Sequence, residues 1–278
     1  ISKTGNTLET LTITNLIKNK NVDKKNMLII TEIKKNLLNE FSKKNQITCI
    51  EHKPVGGRYS VLTEVGMIPA YLMGLKPRKF LDGKKNITKK IMTTLAKNLL
   101  ILEKNYLSKK FKSIIFCCYS PNIEKFLYWC QQLIAESLGK KSLGLLPTVT
   151  IMPKDHHSLL QLYLDGPKDK LFYFFSEKVR KNLQIKQNLF GTKLQKLYKK
   201  DILEVVNSQK SAFQEILKKK EIPYRDFEIK DFNEQTLGEL FSYFMIETSV
   251  LGKRLQINPF NQPAVEQVKI KTREKLLK

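Results

Sequence analysis

The sequence predicts an α/β protein in which parallel sheets are flanked by helices. Two observations lead there. Short apolar runs alternate with longer amphipathic stretches along the chain, which is the pattern of strands joined by crossover helices. The apolar runs centred on Ile114–Phe116 and on Phe172–Phe174 are also apolar at consecutive positions, as befits strands covered on both faces.

In chain order, residues 7–18 repeat apolar side chains at helical spacing behind Thr7, a suitable cap. Residues 27–31 then read as a strand, 32–43 as a helix, 46–50 as a strand and 59–73 as a helix. A lysine-rich helix over 89–107 closes this series at Leu107-Ser-Lys-Lys-Phe111. A second series begins with a strand at 113–119 and a helix over 122–138, which Gly139 ends. A short helix capped by Asp155 follows. Strands at 171–175 and 224–229 alternate with helices over 201–220 and 233–250, and Pro263 suits the first turn of a last helix. The fresh start near residue 110 predicts two similar α/β units in tandem. Ligands of such sheets bind where strands end and helices begin.

The formal net charge is +24, which by itself suggests a polyanion partner. Yet 44 of the 50 basic residues are lysine, spread over the whole chain, whereas clamping phosphates and reading bases favours the arginine fork. Compositional bias on solvated faces is the better reading, and no nucleic-acid partner is expected. No apolar run approaches the ~20 residues that a membrane span needs. Cys49, Cys117, Cys118 and Cys130 form no CxxC pair, so buried thiols of a reducing compartment are expected. With three histidines, no metal site is expected either.

Five segments carry chemistry. Ser2-Lys3-Thr4-Gly5-Asn6-Thr7 places hydroxyls around a helix start, an arrangement able to hold an anion. Gly56-Gly57-Arg58-Tyr59-Ser60 pairs a tight, approachable backbone with an arginine at a helix start, where a cation needs an electron-rich partner. Gln132 and Glu136 are spaced i, i+4 and share a helix face. His156 and His157 open the short helix, and histidine moves protons near neutral pH. Gln262 precedes the last helix, and Lys269 lies on its second turn. Singly, each segment also reads as an ordinary cap, turn or solvated face.

Together, in this order, they resemble the glucose-6-phosphate isomerase family, in the form of its shorter bacterial members. Ser2-Lys3-Thr4-Gly-Asn-Thr7-x-Glu9-Thr10 is similar to the family's phosphate-binding segment, and Gly56-Gly57-Arg58-Tyr59-Ser60 to its first signature. Gln132-x-x-x-Glu136-Ser137-x-Gly139-Lys140 is similar to the segment with the catalytic base, and His157-Ser-Leu-Leu-Gln161 to that of the ring-opening histidine. Phe260-Asn-Gln262-Pro-x-Val-Glu266-x-x-Lys269 is similar to the second signature. Lys53, Ala264 and the pair Asp155-His156 depart from the usual pattern, and the last leaves His156 as an alternative to His157.

The resemblance implies two tandem sugar-isomerase-type domains. Residues 1–109 would be the C-terminal part of the first, with an upstream portion missing. Residues 110–257 would form the second, and 258–278 an active-site helix. The implied reaction interconverts glucose 6-phosphate and fructose 6-phosphate through ring opening and a cis-enediol intermediate. It would need no cofactor and would run in a cytoplasmic homodimer whose histidine crosses from the neighbouring subunit. Glu136 would be the base, Arg58 the stabiliser of the intermediate, and His157 and Lys269 the ring openers. Ser2, Lys3, Thr4, Thr7, Glu9, Gly57, Gln132 and Gln262 would bind substrate or orient these groups. A dual-specificity isomerase that also takes mannose 6-phosphate, and a non-catalytic sugar-phosphate-binding regulator, are the alternatives.

Overall fold

The computed structural model describes residues 1–19, 22–87, 89–178, 183–187 and 189–276. The first part contains α1 (Leu8–Asn19), β1 (Leu28–Thr31), α2 (Leu37–Asn45), β2 (Thr48–Glu51), α3 (Glu64–Leu72), α4 (Pro77–Gly83) and α5 (Lys89–Leu107). It continues with β3 (Ser113–Cys118), α6 (Glu124–Leu138), β4 (Leu146–Ile151), α7 (His156–Asp165), β5 (Lys170–Glu177), α8 (Ile202–Lys219), β6 (Tyr224–Ile229), α9 (Glu234–Arg254) and α10 (Pro263–Leu276). The strands form two parallel sheets, β1-β2 and β4-β3-β5-β6. The predicted α/β class with parallel sheets and flanking helices is the observed one.

The larger sheet is organised by the two-residue period of its central strands. Ile114 and Phe116 of β3, with Leu171, Tyr173 and Phe175 of β5, face a cluster built with α5, α6 and α9. The alternate residues Ile115, Cys117, Phe172 and Phe174 face a second cluster with Tyr163 of α7 and Phe213 and Leu217 of α8. Aromatic edges and faces interlock here; Phe175 stacks on Phe227 with ring centroids 4.7 Å apart. The smaller sheet has a much thinner core, centred on Ile29, Leu38 and Ile47.

Packing carries the larger unit back past residue 110. Leu95, Leu99, Leu102 and Tyr106 of α5 lie in the cluster under β3 and β5. Helix α4 crosses α9 so closely that a Cβ on Gly238 would sit 1.9 Å from the Phe80 carbonyl oxygen, so only glycine permits the approach.

Several boundaries differ from the sequence reading, each for a local reason. The helix expected over 32–43 begins at Leu37, because Asn36 caps it by accepting from Asn39 N at 2.8 Å. The helix expected from residue 59 begins at Glu64. Ser60 and Thr63 hydroxyls donate instead to the carbonyls of Gly57 and Ser60, which breaks the stretch into a 3-10 turn at Gly57–Tyr59 and a separate helix. Asp155 occupies the cap position of α7 without capping it; its carboxylate turns back to accept from Ile151 N at 2.8 Å. Strand β4 and helix α4 are additions to the sequence reading. Leu146-Pro147-Thr-Val-Thr is a sheet-edge strand with a proline and alternating hydroxyls, which hides it from an apolar-run criterion.

Candidate active site

Arg58 stands at the centre of a cluster that joins three distant stretches of chain. Its position follows β2 through Gly56 and Gly57, and its side chain is 1% exposed. Nε donates to Ser137 Oγ at 2.8 Å. Nη1 donates to Glu136 Oε2 at 3.0 Å and to Gln262 Oε1 at 2.8 Å. Nη2 donates to the carbonyls of Pro259 at 2.6 Å and Asn261 at 3.1 Å. A buried cation costs several kcal/mol unless paired and fully hydrogen-bonded, and here every fork position is used. The electron-rich partner that an arginine at a helix start requires is thus a carboxylate together with carbonyls and an amide.

Glu136 lies in the last turn of α6, its Oε2 facing Arg58 and its side chain 31% exposed. Gln132 one turn earlier donates from Nε2 to Glu136 Oε1 at 3.0 Å. Trp129 Nε1 fixes the main chain at Arg58 by donating to its carbonyl at 2.9 Å. Tyr59 packs its ring on Phe260, centroids 5.1 Å apart, and its hydroxyl lies 3.1 Å from Ser137 Oγ. Lys140 ties the end of α6 to the 258–262 loop, donating to the carbonyls of Ser137 at 3.0 Å and Asn258 at 2.6 Å. Burial and then the nearby Arg58 charge push its ammonium below the usual lysine range. A Cβ on Gly57 would meet no atom of the chain, so the space beside this backbone is open. A groove of about 710 Å³ runs past Glu136, Gly139, Lys140, Gln262 and Pro263.

The hydroxyl-rich run forms a second group. Ser2 is buried and its Oγ lies 2.8 Å from Thr7 Oγ1, just ahead of α1. The Lys3 carbonyl is committed to the end of β1, accepting from Glu32 N at 3.0 Å. Gly5 holds φ at +65°, and a Cβ there would fall 1.8 Å from Asn36 Oδ1, so the turn demands glycine. Thr4, Thr7 and Glu9 line a cavity of about 360 Å³ together with Lys269 and Arg273 of α10. Lys269 Nζ pairs with Glu266 Oε1 at 2.8 Å.

The histidines separate. His156 is half-buried, its Nε2 2.6 Å from Tyr119 OH and its ring packed edge-on against Tyr119 and Phe213. Desolvation, and then the neighbouring His157, push its pKa down. His157 is exposed, and none of the hydrogen bonds described around Arg58 and Glu136 involves it.

The structure therefore brings Arg58, Gln132, Glu136 and Gln262 into one cluster beside the open Gly57. Ser2, Lys3, Thr4, Thr7, Glu9 and Lys269 make a second group, bridged to the first by α10, and His157 lies outside both. Sequence reasoning assigned no part to Ser137, Tyr59, Trp129 or Arg273. Ser137 and Tyr59 are immediate chain neighbours of assigned residues, and that adjacency was the available signal.

A part-exposed carboxylate, held by a guanidinium on one oxygen and an amide on the other, can take up a proton, while the guanidinium beside it favours the negative charge that forms. This is the equipment of an α/β proton-transfer enzyme. Over 281 residues the chain is 35% identical to the glucose-6-phosphate isomerase of Methanocaldococcus jannaschii, covering 97% of this chain and 69% of that protein. It is 34% identical to the glucose-6-phosphate isomerase of Mycoplasmopsis synoviae, covering 96% of this chain and 65% of that one. Among solved structures, a hypothetical protein from Thermus thermophilus superposes with a TM-score of 0.89 at 25% identity, over 99% of this chain and 70% of that one. A glucose-6-phosphate isomerase from Chlamydia trachomatis superposes with a TM-score of 0.78 at 18% identity, over 99% and 58%, a likeness of fold. No protein-family model matches the chain. The chain belongs to the glucose-6-phosphate isomerase family, a family of aldose–ketose isomerases, and spans about two thirds of the length of the curated relatives it matches.

Proposed function

We propose that this chain supplies the acid–base centre of a glucose-6-phosphate isomerase, interconverting glucose 6-phosphate and fructose 6-phosphate. The observation that carries the reading is the buried Arg58 fork, which holds Glu136 on one side and Gln262 on the other through a single nitrogen. Glu136 takes the proton from C2 of the open-chain aldose, leaving an enediolate with its charge on O1. A proton passes from the C2 hydroxyl to O1, and the same carboxyl delivers its proton to C1 to give the ketose. Arg58, beside Glu136, steadies through its charge the negative charge developing on the enediol oxygens. Gln132 and Gln262 orient hydroxyls.

The hydroxyls of Ser2, Thr4 and Thr7 at the start of α1 hold the phosphate, helped by the Lys3 side chain, and this non-reacting handle brings C1 and C2 to the base in register. Lys269 and a histidine open the ring, and Glu9 orients the histidine. His157 suits that part better than His156, whose ring is engaged by Tyr119. Since His157 is exposed and takes no part in Glu136's hydrogen bonds, it serves the site of a second copy in a symmetric homodimer. The β1–β2 sheet then belongs to a first sugar-isomerase domain, the four-stranded sheet with α5 in its core to a second, and 258–278 to an active-site helix, so the boundary expected near residue 110 falls before α5. A cytoplasmic location agrees with the thiols of Cys117, Cys118 and Cys130, all free and buried.

The test is isomerase activity of the purified protein and of Glu136→Gln, which keeps shape but cannot take a proton. Turnover should fall by ~10²–10⁴-fold while a substrate analogue still binds. Near-normal turnover in the mutant would remove Glu136 from the mechanism.

A further inference from the structure

We propose that Arg273 is a positioning residue, clamping α10 onto the hydroxyl-rich loop and so setting Lys269 beside it. This rests on the isomerase reading and adds to it a residue that lies outside every recognised motif. Helix α10 has no buried residue among those described, and Val268 and Ile270 are 68% and 56% exposed, so burial of apolar surface does not dock it. Contacts at its two ends hold it instead. At its base, Gln262 accepts from Arg58 and the Phe260 ring packs on Tyr59. Beyond Lys269, Arg273 Nη2 donates to the Asn6 carbonyl at 2.9 Å, across 267 positions of sequence.

The far end of that contact is firmly placed. Asn6 Oδ1 accepts from Leu37 N at 3.1 Å, fixing the loop to the start of α2, and the adjacent Gly5 lies so close to Asn36 that a Cβ would fall 1.8 Å from its Oδ1. Lys269 lies four residues before Arg273, one turn back on the same helix face, and both line the cavity with Thr4, Thr7 and Glu9. Its own ion pair, to Glu266, is internal to the helix and ties nothing to the loop. The place of Lys269 along the cavity therefore depends on Arg273. Arginine suits the task because its rigid fork holds one acceptor with a defined direction, whereas a lysine ammonium swivels.

The test uses the full chain with Arg273→Gln, Arg273→Lys, Lys269→Met and the double variant that combines Arg273→Gln with Lys269→Met. Amide hydrogen exchange of residues 263–276 and steady-state kinetics on cyclic glucose 6-phosphate are read for each. Arg273→Gln should speed exchange within α10 alone and lower kcat by ~10–100-fold, the scale of a misplaced catalytic group, with KM little changed. Arg273→Lys should recover part of both. In the Lys269→Met background, Arg273→Gln should cost little more, because its effect passes through Lys269. Unchanged exchange in α10 would overturn the clamp, and a full additive loss without Lys269 would overturn the positioning role. If the unaltered chain fails to isomerise, the isomerase reading falls while the exchange data still judge the clamp.

Discussion

The two sheets differ in what holds them. Four strands, five helices and interlocked rings of Phe116, Phe172, Phe174, Phe175 and Phe244, all with no exposed surface, make the larger unit. The smaller sheet has two four-residue strands and a core of three buried residues. Yet the smaller unit contributes Arg58 and the hydroxyl-rich loop. Rigidity and polar contacts are unevenly divided: the larger unit offers a fixed platform for Glu136, and the thin one brings Arg58 to it.

Matched substitutions test this contrast most strongly. Leu127 and Leu38 are both buried, one among the rings and one in the thin core. Leu127→Ala should cost about 4–5 kcal/mol and Leu38→Ala about 2–3, because a small cluster collapses around the gap more completely. Equal losses in urea unfolding would dissolve the distinction. At the seam, Arg58→Lys keeps the charge but loses the fork that five acceptors share. Turnover should fall by ~10²-fold or more while far-ultraviolet circular dichroism is retained, and unaltered kinetics would show the fork to be dispensable.

A milder perturbation is hydrogen exchange of the unaltered chain. Amides of β3 and β5 should outlast those of β1 and β2. Those of α5 should follow the larger unit, into whose core Leu95 and Leu99 are packed. Uniform protection would erase the difference. The smallest effect is in pH. Burial lowers the His156 pKa below its unfolded value, so the unfolded chain binds the extra proton first. The stability tied to the neutral ring is present at pH above the unfolded pKa of about 6.5 and declines as pH falls below it. Replacing His156 with Gln should flatten that decline; an unchanged slope would assign it to other groups.

How far the sequence alone reaches follows the same division. The runs at β3, β5 and β6 are strongly apolar or alternating and were legible. Strand β4 was not, because Pro147 and its hydroxyls suit an edge whose identity only the partner strand reveals. Helix α4 is seven residues long and depends on its crossing with α9, a tertiary fact. In the site, the motifs named Arg58, Gln132, Glu136 and Gln262 individually. That one guanidinium nitrogen would bridge Glu136 and Gln262 is a matter of three-dimensional closure. The part of Arg273 was illegible for a related reason: a solvent-facing arginine near a helix end has no distinguishing pattern until its acceptor is seen.

The spacing of Arg58's partners has a consequence for how this protein is made. Its acceptors lie 78 and 79 positions downstream at Glu136 and Ser137, and 201 to 204 downstream between Pro259 and Gln262. Translation proceeds at ~5–20 residues per second, so the guanidinium leaves the ribosome at least ~10 seconds before the last of its acceptors. Through that interval it stays hydrated, and the larger sheet can consolidate without it. The Arg58 network is among the last features the nascent chain completes, and it closes with the segment that contains Pro259, Asn261 and Gln262.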